Sequence, residues 1–360
     1  MKKTPLSHVH EKLGGRMVEF GGWWMPIQYT GIIAEHNAVR TSAGIFDLSH
    51  MGEFFIQGPD AEKFLQRLVT NDVSRMVDGR VMYTPMCNEQ GGIVDDILVY
   101  RFSDQKYMLV VNASNIDKDF NWFNAYKGRQ NLELTNQSET CVLIAVQGPK
   151  SVSILQPLTK TDLSAIKYYW FAESFCGDIP VLLSRTGYTG EDGFELYAAA
   201  SQGEKLWELV MKSSKYKNLV PVGLGARDSL RLEASFSLYG NELDDETTPL
   251  EAGLGWTVKL EKGDFIGKEP LLKQKSGAFT KQLVCFAMKG SGIPRHGYKL
   301  YLNNAEQGRV TSGTFSPTFK KGIGMGYISC AEGKEGEELQ IDIRGTKQPG
   351  IIAKRPFYRN

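Results

Sequence analysis

The sequence offers few of the features that assign a chain to a class at a glance, and each absence removes a possibility. Lys plus Arg (42) and Asp plus Glu (41) almost cancel, so overall charge gives no footing for a nucleic-acid partner. Any anionic ligand must be held by local groups. No apolar run approaches membrane-spanning length, and Met1–His8 carries two lysines with no apolar stretch behind them, so neither a membrane segment nor an export signal is expected. The five cysteines, Cys87, Cys141, Cys176, Cys285 and Cys330, are odd in number, scattered and never spaced as paired metal ligands. A reduced, cytoplasmic compartment fits them, and a mature mitochondrial protein stripped of its transit peptide would read the same. A phosphate loop ending in Gly-Lys-Ser/Thr is missing, as is a Gly-x-Gly-x-x-Gly turn after a strand.

What is present begins with length: 360 residues exceed one compact core, so two or three domains are expected, with small-molecule sites in clefts. A weak internal repeat follows. Glu53 to Leu68 reads EFFIQGPDAEKFLQRL and Leu143 to Leu158 reads LIAVQGPKSVSILQPL, each a strand, a Gln-Gly-Pro turn and a helix. Phe64, Leu65 and Leu68 in one copy and Val152, Leu155 and Leu158 in the other give each helix a face to bury. Two strand-like runs follow in each copy, Gly92–Phe102 with Lys106–Asn112 and Ile179–Arg185 with Gly193–Ala198. A further helix then comes at Asp117–Tyr126 and at Gly203–Lys212. The unit reads β-α-β-β-α twice, an α+β class with mixed, largely antiparallel sheets.

From about Thr280 short apolar strands alternate with turn clusters at Gly290-Ser291-Gly292, Asn303-Asn304, Ser312-Gly313 and Lys347-Gln348-Pro349-Gly350. A small all-β barrel or jelly-roll-like module is expected there, behind a boundary in Lys273–Ala278.

Three segments hold chemistry-bearing residues. CNEQGGIVDDILVY, Cys87–Tyr100, puts two carboxylates inside an apolar strand, and because neighbours on a strand face opposite ways, one of Asp95 and Asp96 must point to the interior or a cleft. Such a carboxylate is paired, hydrogen-bonded or kept for a purpose, with a structural hydrogen bond as the plain alternative. No His or Glu beside the pair completes a metal-ligand set.

SRTGYTGEDGFEL, Ser184–Leu196, gathers glycines, Arg185, Tyr188, Glu191, Asp192 and Glu195 in one turn-forming stretch. Glu195 offers two acceptor oxygens in one plane, suited to paired N–H groups such as a pterin edge; read plainly, the stretch is a hairpin with a charged tip. GLGARDSLRLEA, Gly223–Ala234, enters a helix with Arg227 and Arg231 on one face, either a carboxylate clamp or an internal ion pair with Asp228 or Glu233. His50 has the chemistry of a proton carrier but a lone His is commonly structural, Trp23 and Trp24 suit packing, and His8 and His10 fall in an expected mobile terminus.

Taken together, TPLSHVHEKLGGRMVEFGGWWMPIQY, FDLSHMGEF, MCNEQGGIVDDILVY, SRTGYTGEDGFEL, GLGARDSLRLEA, GWTVKL and the closing KRPFY resemble the glycine cleavage T-protein family, from Thr4 to Tyr358. The flavin domain of the folate-binding oxidases has no counterpart here, and the Lys-Gly-Cys-Tyr-x-Gly-Gln-Glu signature of folate-binding iron–sulfur regulators is missing.

The resemblance implies a three-domain cloverleaf: residues 1–52 with about 138–230, about 53–137 with 231–277, and about 278–360 as the barrel. It implies transfer of the methylene of an aminomethyl group, held on the lipoyl arm of an H-protein, to tetrahydrofolate, with ammonia released. Position by position it makes Asp96 the catalytic acid, Glu195 and Asn112 the pterin-holding groups, and Tyr83, Met51 and Val111 the ring's surroundings. Arg227 would meet the glutamyl tail, and Tyr168, Tyr188 and Trp256 would form further walls, with no metal and no nucleotide cofactor. A non-catalytic folate-binding regulator and a scaffold with a vestigial cleft are the rival expectations.

Overall fold

The computed structural model describes residues 1–213, 218–277, 280–329 and 333–359. Cys330, and Ala278 at the end of the expected boundary, lie outside the described residues. The chain forms two compact units from interleaved stretches: Met1–Gln66, Val73–Tyr83 and Ile97–Arg227 in the first, Arg67–Asp72, Thr84–Asp96 and Asp228–Asn360 in the second.

The first unit opens with β1 (Lys2–Lys3), α1 (Ser7–Lys12), β2 (Arg16–Phe20) and β3 (Trp23–Gln28), then α2 (Ile32–Thr41) and β4 (Ala43–Asp47). The terminus is docked, against the expectation of mobility: Leu6 and Val9 enter the core, and His10 is fully buried, 2.9 Å from Asp47 Oδ2 and 2.8 Å from the Tyr29 hydroxyl. His8 lies 3.1 Å from Glu204. The pattern Leu6-x-x-Val9-His10 carries the face that sequence reading overlooked because the helix is so short. Trp24 donates its indole N–H to Glu11 at 3.0 Å, so the tryptophan pair braces the sheet of order β1-β3-β2.

Two matching runs follow. The first is β5 (Gly52–Gln57), α3 (Ala61–Leu68), β6 (Val81–Cys87), β7 (Ile93–Ser103), β8 (Lys106–Val111), α4 (Ile116–Lys127) and β9 (Glu133–Asn136). The second is β10 (Cys141–Gln147), α5 (Ser151–Leu155), β11 (Phe171–Cys176), β12 (Ile179–Ser184), β13 (Gly193–Ala199), α6 (Gly203–Ser213) and β14 (Leu219–Pro221). Their sheets run β6-β7-β8-β5-β9 and β11-β12-β13-β10-β4-β14, the same order with β4 inserted. Gly58 and Gly148 end the equivalent strands at φ 144° and 132°, where a Cβ would fall 2.5 Å from the carbonyl oxygens of Asn131 and Ser42.

Each run therefore holds three strands between its helices and one after, where two were expected. The missed β6 and β11 are both sheet edges: β6 contains Pro85, which cannot donate to a ladder, and β11 alternates Glu173, Ser174 and exposed Phe175. Pro157 also shortens the second helix, so α5 gives way to a 3₁₀ turn, Gln156–Leu158; of the expected Val152–Leu155–Leu158 face Leu155 is buried and the other two pack partly buried on the core, with Ser151 and Ile154 buried besides. The second sheet packs on α6, whose Gly203, Leu206, Trp207 and Val210 recur at i, i+3, i+4 and i+7. Each fully buried large side chain there contributes about 1.5–3 kcal/mol.

The second unit contains α8 (Lys268–Ser276), after α7 (Leu224–Glu233), which passes into it from the first. Its barrel comprises β15 (Lys281–Met288), β16 (Lys299–Leu302), β17 (Ala305–Ser316), β18 (Lys321–Ser329), β19 (Glu338–Ile343) and β20 (Thr346–Ala353), closed in the order β15-β18-β17-β16-β19-β20. Val284, Phe286, Leu300, Ile341 and Ile352 fill it.

Asn303 and Asn304, at φ 50° and 64°, make the expected hairpin turn. Ser312-Gly313 instead lies within β17 beside a bulge, and Lys347–Gly350 within β20; the turn is at Arg344-Gly345, at φ 55° and 85°. The expected boundary is helical as far as Ser276. Arg231 takes the ion-pair alternative, with Asp228 at 2.7 Å and Glu242 at 3.0 Å, while Glu233 accepts the hydroxyls of Ser316 and Thr318.

Candidate functional site

The glycine-rich loop after β12 is held by its own charges and by one glutamine. Arg185 grips Asp192 through two bonds of 2.9 and 2.8 Å, and Glu191 pairs with Arg40 at 3.0 Å. Gln147, from the second Gln-Gly-Pro turn, donates to Thr186 O at 3.0 Å and accepts from the Thr189 hydroxyl at 2.9 Å. A Cβ on Gly187 would sit 2.0 Å from the Gln147 amide oxygen, and one on Gly193 2.4 Å from its nitrogen. Most of the loop's charge is thus structural, as the plain reading held.

Glu195 is the exception. The register Ser184↔Glu195 and Ala145↔Glu195 places it in mid-sheet, where it is buried and accepts the hydroxyls of Thr186 and, at 3.5 Å, Tyr197. Burial raises its carboxyl above the usual range, and the Thr186 bond, the Arg227 charge and the Tyr197 bond oppose that rise. Behind it the Tyr100 and Tyr197 hydroxyls meet at 2.9 Å, and Ser184 bridges Tyr100 and Thr186 at 3.2 and 2.8 Å.

Arg227 links the other candidates of the first unit. Its guanidinium lies 4.9 Å from the centre of the Tyr188 ring and close enough to Glu195 and His50 to shift both. His50 is buried, and burial followed by Arg227 pushes its imidazole down to about 4, against Asp47. The resting imidazole is therefore held neutral near pH 7. Met51 directly precedes Gly52, which pairs with Val111, so Met51, Val111 and Asn112 collect at one end of the β5–β8 ladder.

Asp95 and Asp96 divide as strand alternation requires: Asp95 is fully buried and Asp96 half-buried. Asp96 precedes Leu98 by two residues on β7, Leu98 pairs with Val110, and Asn112 follows Val110 by two. Tyr83 is half-buried on β6. Tyr168 and Trp256 stand on the surface, 58% and 61% exposed. No group of three or more His, Cys, Asp or Glu is arranged for a metal ion among the described residues.

Sequence reasoning missed Glu53, Tyr100 and Tyr197. A glutamate at an inward position of the apolar run GEFFIQ was the available signal for the first, and the two tyrosines gave none beyond strand alternation.

Residues 6–262 match the family described as the GCVT N-terminal domain, and residues 281–359 match the glycine cleavage T-protein C-terminal barrel domain. An aminomethyltransferase of Desulforamulus reducens is 54% identical, covering 100% of this chain and 98% of its own length. One of Bacteroides thetaiotaomicron is 51% identical over 99% of both chains. The crystal structure of the glycine cleavage system aminomethyltransferase T of Bartonella henselae superposes with a TM-score of 0.93 at 33% identity, covering 99% of this chain and 98% of that one. With its sheets and its barrel matched end to end, the chain belongs to the glycine cleavage T-protein family.

Proposed function

We infer that the chain is an aminomethyltransferase of the glycine cleavage system, an inference carried by end-to-end similarity to aminomethyltransferases at about half identity. Its co-substrate in this reading is tetrahydrofolate and its partner a lipoylated H-protein. Tetrahydrofolate supplies the nitrogens that take up the methylene as ammonia leaves.

The chain's own residues bind and orient. Glu195, supplied with hydroxyl donors and facing the Arg227 charge, suits a planar edge of N–H donors such as that of a pterin. Asn112, Met51, Val111 and Tyr83 surround the ring in this proposal, Tyr188, Tyr168 and Trp256 supply outer walls, and Arg227 meets the glutamyl carboxylates. Asp96, half-buried on β7, is the proposed catalytic group: a fixed carboxylate beside the reacting methylene stabilises the positive charge that develops there.

We keep the three-domain division as a proposal, to be checked by limited proteolysis near residue 277. We also assign the chain to the cytoplasm, which its free Cys87, Cys141, Cys176 and Cys285 support. Among the described residues no helix is long and apolar enough to cross a membrane.

The decisive assay mixes the protein with tetrahydrofolate and aminomethyl-loaded H-protein and follows ammonia together with methylenetetrahydrofolate; no product above the uncatalysed rate refutes the reading. Asp96→Asn should lower turnover by about 10²-fold or more while folate still binds. Near-normal turnover would remove Asp96 from its role.

A further inference from the structure

Glu195 keeps its place through a neighbour to which the proposed reaction gives no role. Thr186, two residues past the end of β12, is 2% exposed and donates its hydroxyl to Glu195 Oε2 at 2.5 Å. Its backbone is held from behind, because the Gln147 side-chain amide donates to its carbonyl oxygen at 3.0 Å. Gln147 is itself fastened, its amide oxygen accepting from the Thr189 hydroxyl at 2.9 Å. The Gln-Gly-Pro turn of the second run therefore sets where the Thr186 hydroxyl stands.

A hydroxyl has one proton to give. That of Thr186 goes to Glu195, so in its 2.8 Å contact with Ser184 Thr186 can only accept. Tyr197 also donates to Oε2, at 3.5 Å, so in its 2.9 Å contact with Tyr100 it too can only accept. The hydroxyl protons thus run toward Oε2, and Oε1 receives none of them. The Tyr197 bond is long and the Thr186 bond close, so Thr186 carries most of the restraint. The tyrosine rings are seated by packing besides: the Tyr100 centre lies 5.4 Å from that of Phe171 and 5.7 Å from that of Tyr197.

We propose that Thr186 is a positioning residue of the folate site: its hydroxyl, held in place by Gln147 and Ser184, pins Oε2 of Glu195 and so sets the carboxylate plane that the pterin's N–H groups meet. This rests on the reading of Glu195 as pterin acceptor. A hydrogen bond to a carboxylate favours the charged form, so Thr186 also opposes the burial that raises this carboxyl. The other groups that act on it or respond to it are Arg227 on α7, Tyr197 beside it on β13, Tyr100 on β7, Glu53 on β5 and Tyr168 ahead of β11.

In tetrahydrofolate titrations of the full-length protein, Thr186→Val should weaken binding about tenfold or more, the scale of a lost hydrogen bond to a charged group, and Thr186→Ser, which keeps the hydroxyl, should bind within about threefold of the wild type. The acid limb of binding should move to higher pH in Thr186→Val and stay in place in Thr186→Ser, whereas a loss of packing alone would lower affinity without moving the limb. Wild-type affinity in Thr186→Val, a serine variant as weak as the valine one, or an unmoved acid limb overturns the positioning role. Glu195→Gln tests the reading beneath it and should bind tetrahydrofolate weakly; wild-type affinity there removes Glu195 as pterin acceptor. Infrared titration of the unliganded protein, following the carboxyl band that Glu195→Gln deletes, shows independently of folate whether Thr186→Val raises the Glu195 midpoint, so the two failures are distinguishable.

Discussion

His50 should make the protein sensitive to mild acid by an amount that follows from its surroundings. Its imidazole is buried, its Nδ1 has no hydrogen-bond partner, the Phe20 ring stands edge-on at 6.1 Å, and Arg227 adds a like charge, so protonation is disfavoured in the native state. The group titrates at about 4 in the fold against an ordinary value of 6.5. A depressed native value means that the stabilising contribution is complete above the unfolded value and is lost as pH falls toward the native one.

The gap between 6.5 and about 4, at about 1.4 kcal/mol for each factor of ten, bounds the loss at roughly 3 to 4 kcal/mol; near pH 5, where the unfolded chain is protonated and the native one is not, about 2 kcal/mol has gone. Urea unfolding of the wild type and of His50→Asn at about pH 8 and about pH 5 measures this as a difference of differences. Subtraction removes the carboxyls common to both proteins, including Glu53 and Glu195, whose raised values act with the opposite sign. If the variant loses as much stability on acidification as the wild type, the assigned environment of His50 is wrong.

Two other outcomes are expected. Arg227→Ala should weaken tetrahydrofolate binding, most for polyglutamylated forms, and should also move His50 titration upward in NMR because a neighbouring positive charge is gone; unchanged affinity for both folate forms removes its proposed role. Trp207→Ala, at a site only 2% exposed behind the second sheet, should cost about 3–5 kcal/mol in denaturant unfolding with no direct effect on the site, and a loss below about 1 kcal/mol would mean the core there re-forms.

Much of the architecture was legible because the informative strands are interior ones. The β12–β13 hairpin, β7, β8, α4 and α6 announce themselves through unbroken apolar or alternating runs and emerge within a residue or two of their expected limits. The edges did not, since an edge strand tolerates Pro85 or Glu173 and thereby loses its pattern. The insertion of β4 into the second sheet was also hidden: AGIFD is a short apolar run whose parallel partner β14 lies far along the chain. His10 was misjudged because its partners, Asp47 and Tyr29, are set by tertiary packing. Glu195, Tyr188 and Arg227, which the proposed site takes up, stood out in their segments of the sequence, whereas the unpartnered Oε1 of Glu53 shows only in the structure.

The two Gln-Gly-Pro turns have met different fates. Gln57 ends its strand in solvent, but Gln147 is clasped by a loop whose Gly187 and Gly193 leave no space for any side chain. An engineer wishing to symmetrise the molecule by copying the later half onto the earlier would have to carry both glycines along with Gln147, because a Cβ at either position would strike its amide. So long as Gln147 keeps its place, neither glycine can acquire a side chain, and that constraint belongs to the later half alone.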